Sequence, residues 1–530
     1  MRACNQRDLH RRAERANLQN MTTLALARPA LALFLATASA SALAQNAPAA
    51  KEAPQDREAM SELLSVDEYI LRIQALDDNG PRINAVIDYD PAAAVKARQL
   101  AGTGPLRGRT VLVKDNVETA EWPTTAGSLA LKDNLTGRDA PLIANLRKSG
   151  GVVLGKVNLS EWANIRSDSS TSGWSAVGGL TRNPFAIDRN TCGSSSGSGA
   201  AVAAGFAWGA IGTETNGSIS CPASINGIVG FKPSVGIVSR THVVPISSTQ
   251  DTAGPMTRTV RDAALLLTAI AGPDKADPVT LDAQRVKDYT AGLDTYSLAG
   301  VRIGVLRSAV GGRADVKALF ETALADLARS GAVLVDVEYS PPGELWAASL
   351  PVLLHELKVE MDKYLAGRPG SGGPRSLADV IAFNSAHADE ELRWFGQDLF
   401  ERALTTTDEA AYQTNLATLR RLTRAEGIDK LLADHQVAFL VAPTQGPAWS
   451  TDLVNGDNFN GRIGAGYLAA IAGYPHLTVP MGAVEGLPIG LSIMGGQWQD
   501  HAVLKAGAAY EKARTAKLPA PTFRPWRPAE

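Results

Sequence analysis

Three short pieces of this chain hold residues that could act together chemically: 111-VLVKDN-116, 192-CGSSSGSGAAVAAG-205 and 211-IGTETNGSISCPA-223. The first ends an apolar, β-branched run on Lys114. Burial disfavours the charged form of an amine, so a lysine held at the inner end of a strand becomes a base near neutral pH. The second piece sets Ser194, Ser195 and Ser196 directly before a small apolar run at 200–204. A serine hydroxyl attacks a carbonyl only when a neighbouring base takes its proton, and a lysine can be that base. The third carries Ser218 behind Gly217, in a turn where the amides of Thr215, Asn216, Gly217 and Ser218 can converge on one oxygen. Donors aimed at a developing oxyanion contribute about 3–4 kcal/mol each. Each piece also has a plainer reading. A strand-end lysine can carry its ammonium out to water, Gly-Ser runs serve as linkers, and Gly-Ser turns commonly follow strands.

The elements around these residues favour the chemical reading. Residues 111–113 have the composition of a strand, and 208-WGAIG-212 is a short apolar piece that the turn 215–217 would leave. The run 200–204 is apolar on every side, so its helix sits deep and offers its N-terminus to the serine loop. A flexible linker would not run straight into such a helix. Elsewhere, Ser65 and Glu68 form a capping box ahead of Val66, Ile70, Ile73 and Leu76 at helical spacing. A strand is expected over 83–89, a helix over 91–100 and another over 141–148, followed by apolar 152–154. Residues 301–306, 314–329 and 332–337 read as strand, helix, strand. Helical segments over 345–365 and 377–435 flank the loop 366–376. The alternation predicts an α/β fold, a mixed β-sheet core flanked by α-helices on both sides.

The chain has 530 residues, 45% of them hydrophobic and 20% charged, with a net charge of −2. That composition supports a large core and argues against a nucleic-acid partner; a small neutral substrate is expected. Met21, Arg28, the apolar block 30-ALALFLATASA-40 and the small-residue end 42-ALA-44 follow the order of an export signal. A start at Met21 with cleavage after Ala44 makes residues 1–20 an upstream extension outside the native protein, 21–44 a signal peptide and 45–60 a linker. The alternative is an Ala-rich disordered tail. The apolar block is too short to span a bilayer, so no stable membrane insertion is expected. Cys192 and Cys221 remain in the mature chain, and the sequence leaves open whether they pair.

Three other motifs carry less. Residues 150-GGVVLGKV-157 fit G-x-x-x-x-G-K but end in valine where a phosphate loop needs Ser or Thr, and the glycines follow a helix. Residues 193-GSSSG-197 fit G-x-S-x-G with Ser195 as nucleophile, yet no convincing strand precedes them, and the histidines downstream stand alone. No H-E-x-x-H or C-x-x-C spacing offers metal ligands, so neither metal nor cofactor is expected.

Taken together, the pieces resemble the amidase signature family. The resemblance extends over 61–518, taking in 183-NPF-185, 226-NGIVGFKPSVG-236, 250-QDTAGPM-256, 441-VAPT-444, 472-AGYPHLTVPMG-482 and 487-LPIGLSIMG-495; residues 519–530 form a tail. It implies a Ser–Ser–Lys triad of Lys114 as base, Ser194 as proton relay and Ser218 as nucleophile, at intervals of 80 and 24 residues. It also implies an oxyanion site at 215–218, a supporting role for Ser195, a cis Gly193–Ser194 peptide and no cofactor. Cys192, Ser196, Glu214, Asn216 and Ser220 depart from the commoner family residues, and two of these flank Ser218. Within the family, the variants at 192–205, 212–233 and 247–256 resemble those of bacterial peptide amidases, which release ammonia from C-terminal carboxamides. The rival expectations are an amidase for aryl, fatty or small aliphatic amides, an amidotransferase component, or a non-catalytic binding protein of this fold.

Overall fold

β-Branched runs bounded by turns become the strands of one eleven-stranded sheet. Its first half comprises β1 Val86–Tyr89, β2 Thr110–Lys114, β3 Val152–Val157, β4 Gly209–Glu214, β5 Val229–Lys232 and β6 Thr252–Thr257. The second half adds β7 Arg302–Val305, β8 Val333–Asp336, β9 Phe439–Pro443, β10 His476–Val484 and β11 Leu487–Met494. The spatial order is β1-β3-β2-β4-β6-β5-β10-β11-β9-β7-β8. β2 runs parallel to β3 and β4, and β7 parallel to β8 and β9; the other pairs are antiparallel, so the sheet is mixed as expected.

The computed structural model describes residues 65–370, 372–459 and 463–528. The upstream extension, the signal peptide and the linker inferred over 1–60 lie outside them. Among the described residues no helix is long and apolar enough to cross a membrane.

Alternation along β2 and β4 sorts the core into two layers. Val111, Val113 and Ile211 pack with helices Pro141–Lys148 and Val260–Ile270 on one face. Leu112 and Ala210 pack with α1, Ser196–Ala203, on the other. Every residue of α1 is buried; all are small, and the hydroxyls of Ser196 and Ser198 donate to Cys192 O and Ile211 O. Lys114 lies two residues beyond Leu112 and so shares the face that α1 covers.

Local expectations hold closely where the signal is a cap or a β-branched run. The Ser65–Glu68 capping box is present, and helices occupy Pro141–Lys148 and Ala314–Arg329. The strand expected over 83–89 starts only at Val86, where the Asp77 carboxylate accepts the N–H groups of Ala85 and Val86. The segment 377–435 is a series of short helices. Ser376 and Asp408 each cap a fresh start by accepting an N–H from Asp379 and Ala411, and Gly427 departs from helical dihedrals. Residues 522–526 are tied to the body: the N–H groups of Phe523 and Trp526 donate to Pro184 O and Asp188 Oδ1.

Candidate active site

Lys114 is the last residue of β2 and has no exposed surface. Its Nζ lies 2.8 Å from Ser194 Oγ, 2.8 Å from Thr213 Oγ1 and 3.3 Å from Thr213 O. Burial pushes the amine from 10.5 down to about 7, while the charges of Asp251 and Glu214 act in the opposite direction. The expected buried base is therefore in place, hydrogen-bonded to the expected relay serine. Thr213, at the end of the parallel neighbour β4, went unremarked in the sequence although it stands beside Glu214. Asn116 Nδ2 donates to the same Thr213 hydroxyl at 3.0 Å.

The serine loop is held by hydrogen bonds from three directions. The Gly193–Ser194 peptide is cis, as the family resemblance implies. Ser160 N donates to Ser194 O at 3.0 Å. A methyl group at Gly193 would lie 2.1 Å from Ser160 Oγ, so only glycine fits there. Ser195 links three segments at once: its N–H donates to Ser218 O at 3.1 Å, its hydroxyl donates to Thr213 O at 3.1 Å, and its Oγ accepts from Thr213 N at 3.2 Å. Both its hydroxyl and its amide are thus engaged in the scaffold. Ser196, which carried least information in the sequence, opens α1 and donates to Cys192 O at 2.7 Å.

Ser218 follows β4 and leads into α2, Ser220–Ile225. Its backbone is joined to the serine loop through Ser195, but its Oγ makes no hydrogen bond among the described residues. The Lys114–Ser194 half of the expected triad is thus a direct contact, and the Ser194–Ser218 half rests on this backbone link. Glu214 organises the turn: its Oε2 accepts the N–H groups of Ile219 at 2.8 Å and Ser220 at 2.9 Å. The amides of Asn216, Gly217 and Ser218 have no partner among the described residues. Gly217 has φ +87°, and nothing lies within 4 Å of where a Cβ would stand, so the turn is open to a ligand. The Thr215 hydroxyl donates to Asp251 Oδ1 at 2.6 Å, and Asp251 Oδ2 accepts from Ile246 N and Ser247 N. Burial pushes the Asp251 carboxyl up, against these hydrogen bonds.

A disulfide joins Cys192 to Cys221, which closes the question the sequence left open. It ties the loop before Ser194 to the helix after Ser218. Both cysteines line a cavity of about 360 Å³ together with Gly193, Asn216, Gly217 and Ser218. Its outer wall is largely apolar, with Ile246, Leu353, Phe459 and Tyr467. Neither Leu353 nor Tyr467 was singled out in the sequence, because each is recognisable only by what it faces. A second cavity, of about 530 Å³, shares Ala163, Thr215 and Ile246 with the first and reaches Asn116 and Thr213, but neither Ser194 nor Ser218 lines it.

The glycine-lysine run at 150–157 is no phosphate loop. Lys156 lies inside β3, fully buried, 3.0 Å from the Asp115 carboxylate and donating to Val117 O and Thr124 Oγ1.

The amidase family model matches residues 65–504. A probable amidase of Arabidopsis thaliana is 36% identical over 470 residues, covering 85% of this chain and 86% of its own. Among solved structures, the native peptide amidase of Stenotrophomonas maltophilia superposes with a TM-score of 0.81 at 47% identity, covering 90% of this chain and 99% of that one. An amidase family protein of Bacillus anthracis superposes with a TM-score of 0.78 at 35% identity, covering 88% of this chain and 91% of that one. With the fold, the buried amine at Ser194 and these likenesses in agreement, the chain belongs to the amidase signature family and is a hydrolase of amide C–N bonds.

Proposed function

We propose that this enzyme hydrolyses the C-terminal carboxamide of peptides to the free acid and ammonia, through a triad of Lys114, Ser194 and Ser218. The observation that carries the reading is the fully buried Lys114 amine, uncharged down to about pH 7 and hydrogen-bonded to Ser194 beneath the cavity that Ser218 lines. Neutral Lys114 draws the proton from Ser194 Oγ, which takes one from Ser218 Oγ as that oxygen attacks the carboxamide carbon. Negative charge developing on the carbonyl oxygen is met by the unpaired amides at 216–218. Running the relay backwards hands a proton to the departing ammonia, and water then cleaves the acyl-enzyme by the same path.

A cavity of about 360 Å³ matches the lower range of small-ligand sites and admits the last residues of a peptide. Its apolar wall suits a neutral chain end. The 47% likeness to a peptide amidase supports this substrate class over aryl, fatty or small aliphatic amides. We further place the mature enzyme outside the cytoplasm, from the export pattern at 21–44 and from a disulfide that an oxidising compartment maintains.

Incubation of C-terminally amidated peptides, followed by mass spectrometry and ammonia determination, tests the reading. Wild-type enzyme converts carboxamide to acid, and Ser218→Ala, retaining its fold, does not. Release of ammonia from aryl or aliphatic amides but from no amidated peptide would overturn the substrate class. Full activity in Ser218→Ala would overturn the mechanism.

A further inference from the structure

Beside the cavity that Ser218 lines, four polar side chains on or just beyond three neighbouring strands form one hydrogen-bonded chain. His476 and Thr478 belong to β10, Ser492 to β11, and Thr444 follows the end of β9. His476 Nε2 lies 2.7 Å from Ser492 Oγ, the Ser492 hydroxyl donates to Thr444 Oγ1 at 2.9 Å, and Thr444 Oγ1 lies 2.6 Å from Thr478 Oγ1. His476, Thr478 and Ser492 have no exposed surface, whereas Thr444 keeps 8% of its own and lines the cavity that contains Ser218.

Counting protons fixes the direction of every link. Ser492 has a single proton and gives it to Thr444, so at its contact with His476 its oxygen accepts and Nε2 carries the ring hydrogen. The other ring nitrogen, Nδ1, is buried without a partner, which suits a bare nitrogen and not an N–H. Burial holds the ring neutral by pushing it down to about 4. Among the described residues the Thr478 hydroxyl makes no hydrogen bond except with Thr444 Oγ1. Were Thr444 to donate to Thr478, the buried Thr478 proton would have no acceptor. With Thr478 donating instead, Thr444 Oγ1 receives two hydrogen bonds and its own proton is the one left over. That surplus donor belongs to the single member of the chain that reaches the cavity.

We propose that Thr444 is a specificity-determining residue whose hydroxyl donates to the carbonyl oxygen of the residue preceding the scissile carboxamide. The inference rests on the peptide-amide reading above. The scissile carbonyl is claimed by the amides of 216–218, so the next acceptor along a peptide is the upstream backbone carbonyl. Because Thr444 Oγ1 already accepts twice, it cannot take a substrate N–H instead. The preference it confers is therefore for an acylated residue at the chain end.

The test compares N-acetyl-phenylalaninamide with 3-phenylpropanamide, which lacks the acetylamino group. Wild-type enzyme gains in kcat/KM from that group. In Thr444→Val the gain falls about tenfold, with the loss carried by KM, as for one hydrogen bond to a neutral acceptor. Thr444→Ser restores it, and urea unfolding midpoints establish that both variants are folded. A full gain retained in folded Thr444→Val, or lost in folded Thr444→Ser, overturns the proposal while leaving the peptide-amide reading standing. Absence of any gain in wild-type enzyme overturns both.

Discussion

The most demanding consequence of this site concerns stability, because the lysine proposed as the base destabilises the fold. Lys114 is lowered from 10.5 to about 7 by burial, a difference that corresponds to roughly 5 kcal/mol at 1.36 kcal/mol per pH unit. Between those two values the unfolded chain carries a proton that the native state lacks. Stability therefore rises with pH across that window, and the penalty is complete below about pH 7. Replacing Lys114 by methionine removes the titration and leaves the Thr213 hydroxyl its bond from Asn116, but strands the Ser194 hydroxyl at a cost of about 1–3 kcal/mol. That cost does not vary with pH. The contributions of Lys156 and Lys232, also lowered by burial, are common to both proteins and cancel in the difference. The stability of Lys114→Met relative to wild type thus increases by roughly 3 kcal/mol as pH falls from 9.5 to 7, then levels off. Urea unfolding followed by fluorescence of the nine tryptophans reads this directly. The variant is inactive at every pH, and wild-type kcat/KM falls about tenfold per pH unit below about 7. A stability difference that stays flat from pH 9.5 to 7, or wild-type activity undiminished at pH 5, would refute the desolvated base.

Three further outcomes follow from the contacts around the serine loop. Gly193→Ala drives a methyl group to 2.1 Å from Ser160 Oγ, displaces Ser194 from the amine and lowers kcat at least a hundredfold, measured on any turned-over amide. Glu214→Ala frees the amides of Ile219 and Ser220 and lets the nucleophile turn drift; kcat falls while KM changes little, because the loss falls on the transition state. Reduction of Cys192–Cys221, or its replacement by two alanines, removes a link closing 29 residues. It lowers stability by about 3–4 kcal/mol in denaturant titrations at neutral pH.

How far the sequence disclosed this arrangement depends on how local each signal is. The end of β2 at Lys114, the capping box at Ser65 and the helix over 314–329 are properties of a few consecutive residues, and their chemistry alone places them. Thr213 and Asp251 act on the site through contacts with residues far along the chain, so nothing beside them marks their role. The histidines stood alone in the sequence for the same reason: His476 acquires meaning only when β11 brings Ser492 beside it and β9 ends at Thr444. The pairing of Cys192 with Cys221 likewise depends on how the two loops meet. The family resemblance supplied the expectation of a triad and the cis peptide; composition and periodicity alone gave only a buried base next to serines.

The adjacency of β2 and β4 has a wider implication. Lys114 ends β2 and Thr213 is the penultimate residue of its parallel neighbour β4, so backbone hydrogen bonding in the interior sets the spacing between the amine and its partner. The cavity's outer wall comes from other parts of the chain, including Leu353, Phe459 and Tyr467. Rewriting those outer segments can exchange one clientele of amides for another while the basicity of the amine stays as the ladder left it, so chemistry and selectivity in this architecture are free to evolve on separate schedules.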